Sequence, residues 1–595
     1  LKPASVQGDT RLTVTRAEGA LAQLAALAAA FDCNVTPTDI KQVALRFQKG
    51  DTRLGEMRVS GPFNMEKTEG RLTAELFDID KRLLNLVGAQ SGIDFGPTSI
   101  NSTNEIQLAK TGALITTVGR FNINQFQVTR TNQTTPSLDL RAEYDVSVDR
   151  AASNAVLRVF TLNGAQKGNQ FLRGELTSPM PLSWGNTANA VGDSALNLAL
   201  THFDLADWKA FLGDVAPTGD VNMKSQLLSQ QGGKLLNFNV DSTINNLTAG
   251  SGSNQITQAT VTLAMRGQAT DLKQFNLPEY KLQVARQNQP LVNLSGSGTY
   301  DKNSASADMQ LNAQVLLARL LQVLPRPDMN VSSGTAEMKV HLTQKALTGV
   351  AQSGSTNVQT AQNLVGKFTL ADFTGQVGSN SFRSFGTTAD FDIGVTPQQA
   401  EIRKLAGKIT EGVTVGGTYD LKGTYDLSNK AAQVTAALAN FNQAGLRAFL
   451  EPALGGKKLT SVALNANATA QYNPQGASTV KADLQVTNLV VSDPKGQLPA
   501  TPLEAKMRVD ASLNKQVADV RQLLVSLTPT ARATNQIQLT GHVDMSQTNA
   551  IQGNLKLAAD SLDFTSYYDL FAGQKKAPES AAAAPATPTP APAPA

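Results

Sequence analysis

Residues 138–148 read LDLRAEYDVSV, in which Leu138, Leu140, Ala142, Tyr144, Val146 and Val148 alternate without a break with Asp139, Arg141, Glu143, Asp145 and Ser147. A period of two sends successive side chains to opposite faces of an extended chain, so the stretch is a strand with one apolar and one wet face. Similar alternation fills most of the sequence. It is interrupted by turn-rich pieces such as TRTNQTTPS after Val128 and SDPKGQ after Val491. These breaks are too short for crossover helices and favour antiparallel pairing. The expected fold is mainly β, with tandem repeats of antiparallel strands forming an elongated curled sheet.

The repeat shows in the wording. TDIKQV at residues 38–43 returns as TDLKQF at residues 270–275, with looser copies AVLRVF from Ala155, AEIRKL from Ala400 and ADVRQL from Ala518. The spacing is roughly 120 residues, the mark of a tandem array. A second marker, glycine before an apolar residue and Asp or Asn, occurs as GPFN at Gly61, GTYD at Gly298, Gly417 and Gly423, and GHVD at Gly541. The implied organisation is a partial repeat at 1–37 and full repeats at 38–154, 155–269, 270–399 and 400–517. A partial repeat at 518–576 and a Pro/Ala-rich disordered tail at 577–595 complete it.

Each repeat is expected to carry six or seven strands and one short helix. The helical stretches are FDIDKRLLNLVG from Phe77, FDLADWKAFLG from Phe203, VLLARLLQVLP from Val315, FNQAGLRAFLEP from Phe441 and LDFTSYYDLFAG from Leu562. Asp78, Asp204, Asn442 and Asp563 are suited to accept the free amides of a helix start, whereas Leu316 is not. Gly88, Gly213, Pro325, Pro452 and Gly573 end the helical pattern.

Such a unit has a shortage of cover. A helix of about ten residues shields only a few strands, and a large uncovered apolar surface usually marks an interaction site. One solution folds sheets onto each other as sandwiches with dry cores. The other runs the sheet on as a trough whose apolar floor takes hydrocarbon chains. With strands about 4.8 Å apart, five repeats would extend on the order of 170 Å. Candidate lipid-contacting residues from the alternating runs are Phe121, Ile123, Leu138, Leu140, Tyr144, Val146, Leu484 and Val486.

The segments LSGSGTYDKNSASADMQLNA (residues 294–313) and VGGTYDLKGTYDLSNKAAQVTAALANF (residues 415–441), each leading into a helical stretch, resemble the AsmA-like family of Gram-negative envelope proteins, a superfamily that includes TamB-like proteins. The resemblance covers most of residues 38–573. It implies a repeating β-groove in the periplasm that helps phospholipid reach the outer membrane. It further implies an inner-membrane anchor in a segment outside these 595 residues. The partners it implies are phospholipid or another acyl-chain lipid, and the inner membrane, the outer membrane or both.

Other classes find less support. With 52 basic and 48 acidic residues the chain has no polycationic character, so no nucleic acid is expected. A single cysteine, Cys33, excludes an internal disulfide, and His202, His341 and His542 are too widely spaced to suggest a metal site. No cofactor is expected. GSG at Gly250 and Gly296 lacks nucleophile-elbow spacing, and Gly455 and Gly456 before Lys457 lack phosphate-loop spacing, so the protein is not expected to be an enzyme. Asp301, Asn303 and Asp308 in DKNSASAD fit a hairpin better than a calcium loop. Trp184 and Trp208 read as core anchors. An aromatic content of 5% is low for the two girdles of an outer-membrane barrel. The second reading is a secreted adhesive or scaffold protein with dry sandwich cores.

Overall fold

The computed structural model describes residues 5–18, 25–88, 91–130, 132–185, 192–212, 217–347, 359–492, 501–547 and 550–571. The Pro/Ala segment, Gly213 and Gly573 lie outside them. Strands make up 71% and helices 8%; about thirty strands form one antiparallel sheet that is not closed into a barrel, and Ile93–Asp94, Thr129–Arg130 and Gln133–Thr134 form a small second sheet. The chain divides into two compact units: residues 1–326 with 337–360, and residues 327–336 with 361–595.

Five α-helices occur among the described residues: α1 (Lys81–Gly88), α2 (Lys209–Leu212), α3 (Leu317–Val323), α4 (Gln443–Leu450) and α5 (Thr565–Phe571). A 3₁₀ turn, Leu205–Trp208, leads into α2. In the first unit the ladder runs from Glu69–Asp80 through Ser99–Ala109, Leu114–Phe126, Leu138–Asp149, Asn154–Gln166 and Asn169–Leu176 to Ser194–Asp204. That is six antiparallel steps, an even number, so the strand preceding α2 points the same way as the strand preceding α1. Six more steps lead to Ser306–Leu316, which precedes α3. The helices of this unit therefore stand at one edge, where equivalent strand ends meet. In the second unit, six steps likewise separate Ala432–Asn442, before α4, from Gln552–Ala559, before α5.

Helix starts follow local chemistry. Asp204 accepts the Ala206 amide at 2.9 Å and Asn442 accepts the Ala444 amide at 2.9 Å. Asp563 takes both the amide and the hydroxyl of Thr565, at 3.2 and 2.7 Å. Leu316 offers no side-chain cap. At α1 the expectation is corrected: Asp80, not Asp78, accepts the Arg82 amide at 2.7 Å. Asp78 sits at φ 42° and its own amide donates to Asn101. The FDID text offers two acidic caps, and the first takes the left-handed position two residues before the cap, as His202 does before Asp204 and Asn440 before Asn442.

The repeated phrase and the glycine marker meet across the ladder. Ile40 pairs with Gly61, Ile402 with Gly423 and Val520 with Gly541, and in each case the register breaks immediately afterwards. The break is a β-bulge, one extra residue on the phrase strand. Gly61 (φ 135°) and Gly541 (φ 144°) occupy backbone conformations that a side chain rarely adopts, which is why the partner is glycine. TDLKQF is a false twin at this level. Its Asp271 and Leu272 form a left-handed turn, and the bulge lies later, where Leu277 pairs with Gly298. Nearly the same spelling thus serves a strand start in one place and a hairpin turn in the other.

Candidate functional site

Residues directly opposed across a ladder share a face, so the register assigns faces without reference to polarity. In the first unit Val221, Ile244, Val261, Val284, Val292 and Val315 form one cross-strand row, and Met223, Ser242, Leu263, Leu282, Leu294 and Ala313 form the next. All twelve are half-buried. On the opposite face the adjoining row is Lys224, Asp241, Ala264, Lys281, Ser295 and Asn312. The second unit repeats the division over more strands: Phe391, Leu405, Leu421, Ala436, Ala468, Ala482, Val509, Leu523, Leu539 and Leu557 are linked pair by pair.

Among the described residues, the α-helices cover this apolar face near one edge. Phe449 of α4 packs edge-on against Phe382 and Phe385, with ring centroids 5.7 and 6.0 Å away. In α5, Tyr567 and Leu570 join Leu454, Leu459, Val462, Val491 and Leu503 in a compact cluster. In the first unit Trp208 lies among Phe126, Phe203 and Phe211, with centroids 5.3–6.4 Å apart. Trp208 is thus an aromatic anchor, while Trp184 departs from expectation at 36% exposed. Along the middle of these rows apolar side chains stay half-exposed, whereas at the other strand ends of the first unit Met180, Ala155, Leu236 and Ala269 are buried. The inner faces of packed sandwiches, by contrast, interdigitate and are buried.

Polar atoms on the apolar face are concealed by a recurrent device. Tyr144, Tyr280 and Tyr419 each pair directly with a glycine of the neighbouring strand, respectively Gly119, Gly296 and Gly407. The tyrosine ring or hydroxyl lies where a β-carbon on that glycine would fall. Each hydroxyl then reaches past the glycine to the strand beyond. Tyr419 donates to the Thr388 carbonyl at 2.9 Å, Tyr280 to the Gln310 carbonyl at 3.3 Å, and Tyr144 to Oδ1 of Asn104. Phe238 covers Gly267 in the same way, without a hydroxyl. The rings keep the floor apolar, and the hydroxyls spend their hydrogen bonds within the sheet.

The register places all eight sequence candidates on the apolar face. Leu140 pairs with Ile123 and Tyr144 with Gly119, while Phe121 pairs with Ala142, so Phe121, Ile123, Leu138, Leu140, Tyr144 and Val146 lie together in the first unit. Leu484 and Val486 pair with Met507 and Ala505 in the second. Their surroundings differ. Leu138 is buried, and Val486 packs against the cluster under α5, so these two sites are already covered by protein. The Leu263 and Leu282 floor carries the same alternation and was legible, but VTLAMRG and KLQVAR are less regular than residues 138–148.

The wet face carries the charges. Arg266 grips Asp241 through two 2.8 Å contacts, Arg508 reaches Asp483 at 2.7 Å and Arg158 reaches Asp145 at 2.8 Å. Being exposed, these pairs are screened by water and salt and add little to stability. Two depressions of about 390 and 580 Å³ also border Asp241: Arg173, Glu175, Lys224 and Arg266 help line the first, and Lys281, Gln283 and Asn293, together with Leu263, Leu282 and Leu294 of the second apolar row, help line the second. The histidines pair with carboxylates at the surface: His202 with Asp220, His341 with Asp308 and His542 with Asp519. Asp301 accepts the amides of Asn303 and Ser304 and closes a hairpin turn. Among the described residues no group of three metal-ligating side chains comes together, and no helix is long and apolar enough to cross a membrane. No protein-family model matches the chain, and no curated protein is similar to it at a significant level.

Proposed function

We propose that the protein is a noncatalytic carrier of acyl-chain lipid, in which the apolar face is a surface for hydrocarbon. The observation that supports the reading is the ten-residue apolar row from Phe391 to Leu557, bordered by short helices and otherwise half-exposed. A surface of this kind is stabilised by taking hydrocarbon out of water at about 0.8 kcal/mol per buried methylene. A chain of roughly sixteen carbons half-buried on it contributes on the order of 6 kcal/mol. The tyrosine arrangement fits the same purpose, since hydroxyls satisfied within the sheet do not demand water at the floor.

The resemblance to AsmA-like envelope proteins extends the proposal to phospholipid, to the periplasm of a Gram-negative cell and to support of outer-membrane biogenesis, with the inner and outer membranes as partners. The test is mass spectrometry of an organic extract of the purified full chain. Phospholipid near one or more molecules per chain supports the carrier. A lipid-free extract from stable protein, with no uptake from labelled phosphatidylethanolamine vesicles, refutes it and favours the scaffold reading.

A further inference from the structure

The strand Gln552–Ala559 differs from nearly all others: every one of its residues is exposed, Leu555 at 52% and Leu557 at 68%. It pairs with Gln536–Asp544 through eight consecutive partners without a register break, and among the described residues nothing pairs its other side. Two hydrogen bonds bracketing the neighbouring strand, Leu527 amide to Asn535 carbonyl and Met545 amide to Gln516 carbonyl, both 2.9 Å, show which way its backbone faces. Its odd-numbered residues serve the strand Val517–Leu527. Its even-numbered residues therefore serve Gln552, Asn554, Lys556 and Ala558. The amides and carbonyls of Gly553, Leu555, Leu557 and Ala559 consequently point to the open side, on the residues that belong to the apolar face.

Open edges are normally blunted by proline, bulges or several charges. This one has no proline, no bulge and one charge, Lys556. We propose that the strand Gln552–Ala559 is a docking edge for a second copy of this chain, joined antiparallel across a twofold axis normal to the sheet. The twofold brings the same outward-facing set from both copies together, and keeps the apolar face on one side through the junction. Charge selects the register. Placing Leu555 opposite Leu557 of the second copy would set Lys556 against its own counterpart. Placing Leu555 opposite Leu555 of the second copy instead sets Lys556 against Asn554 and Gly553 against Leu557. That register puts hydrogen-bonded pairs at residues 553, 555 and 557.

The test uses the full chain with Cys33 replaced by serine, so that an introduced cysteine is unique. Hydrogen-bonded antiparallel partners have Cα atoms about 5.5 Å apart, inside the range a disulfide spans. On mild oxidation Leu555→Cys should give a covalent dimer at least ~10-fold faster than Leu557→Cys, whose counterpart lies four residues off register at roughly 13 Å. Leu555→Lys, facing open solvent in the single chain, should leave the circular dichroism unchanged and abolish the dimer in sedimentation. A parent chain that remains monomeric at concentrations on the order of 100 µM overturns the proposal. So do equal crosslinking at both positions and a dimer that survives Leu555→Lys. Should Leu555→Lys alter the fold, the two cysteine variants decide alone. Lipid content does not enter these readouts, so failure here leaves the carrier reading intact, and the reverse also holds.

Discussion

Leu263→Asp separates a hydrocarbon-facing floor from a dry core by magnitude. Leu263 lies between Ser242 and Leu282 across the ladder and is half-buried. Full burial of leucine contributes about 1.5–3 kcal/mol, so the half lost here is about 1 kcal/mol. The new carboxylate keeps access to water, and the whole substitution should cost about 1–2 kcal/mol, against 4–5 kcal/mol or more for a charge forced into a filled interior. Urea denaturation of Leu263→Asp beside Ala264→Asp, one residue away on the wet face, gives the comparison. Photocrosslinking to an acyl-chain probe should fall several-fold in the first variant and remain in the second. A loss above about 4 kcal/mol at Leu263 would show that protein, not solvent or lipid, covers this floor. A stable variant with undiminished crosslinking would place the lipid elsewhere. Val486 is unsuited to the same test, because it packs against the cluster under α5 and an aspartate there would damage the fold.

Tyr419→Phe removes the bond to the Thr388 carbonyl and should lower stability by about 1 kcal/mol in urea titration. Gly407→Ala drives a β-carbon into Thr388 and to 2.7 Å from the Tyr419 hydroxyl, and should cost considerably more; a smaller cost than Tyr419→Phe would contradict the tyrosine–glycine arrangement. The side-chain hydroxyl and amide of Thr565, with Thr530, hold Asp563 below the usual carboxylate range. A depressed folded value means that this stabilisation is complete above the unfolded value of about 3.9 and is lost as pH falls through the folded one. Protection of the α5 amides, taken relative to the intrinsic exchange rate at each pH, should therefore fall below about pH 4, and Asp563→Asn should flatten that dependence. Acid exchange identical in both proteins would exclude Asp563 as its source.

Much of this was legible in the chain because it is local. Alternation at residues 138–148 specifies a strand with two unlike faces whatever its neighbours are. The five helical stretches announce themselves by apolar spacing and by the capping side chains of Asp204, Asn442 and Asp563. Counting alternating runs gives six or seven strands per repeat, and the pairing makes it six ladder steps from one helix to the next in the first unit. Phe121 shares a face with Ile123, and Leu140 with Tyr144, for the same reason: period two leaves no other choice within a strand, while only register puts the two pairs on one face.

What the sequence could not supply is register across strands. TDIKQV and TDLKQF read alike, yet only tertiary pairing decides that one opens a strand and the other turns a corner. Nothing local says that Tyr419 lies over Gly407, that Leu138 and Val486 are already covered, or that the outward amides of the last strand belong to Leu555 and Leu557. A bulge inserts one residue, and a one-residue slip exchanges the faces of everything beyond it. Composition and periodicity determine that each strand has an apolar side; the placement of bulges, helices and edges determines which of those side chains remain uncovered.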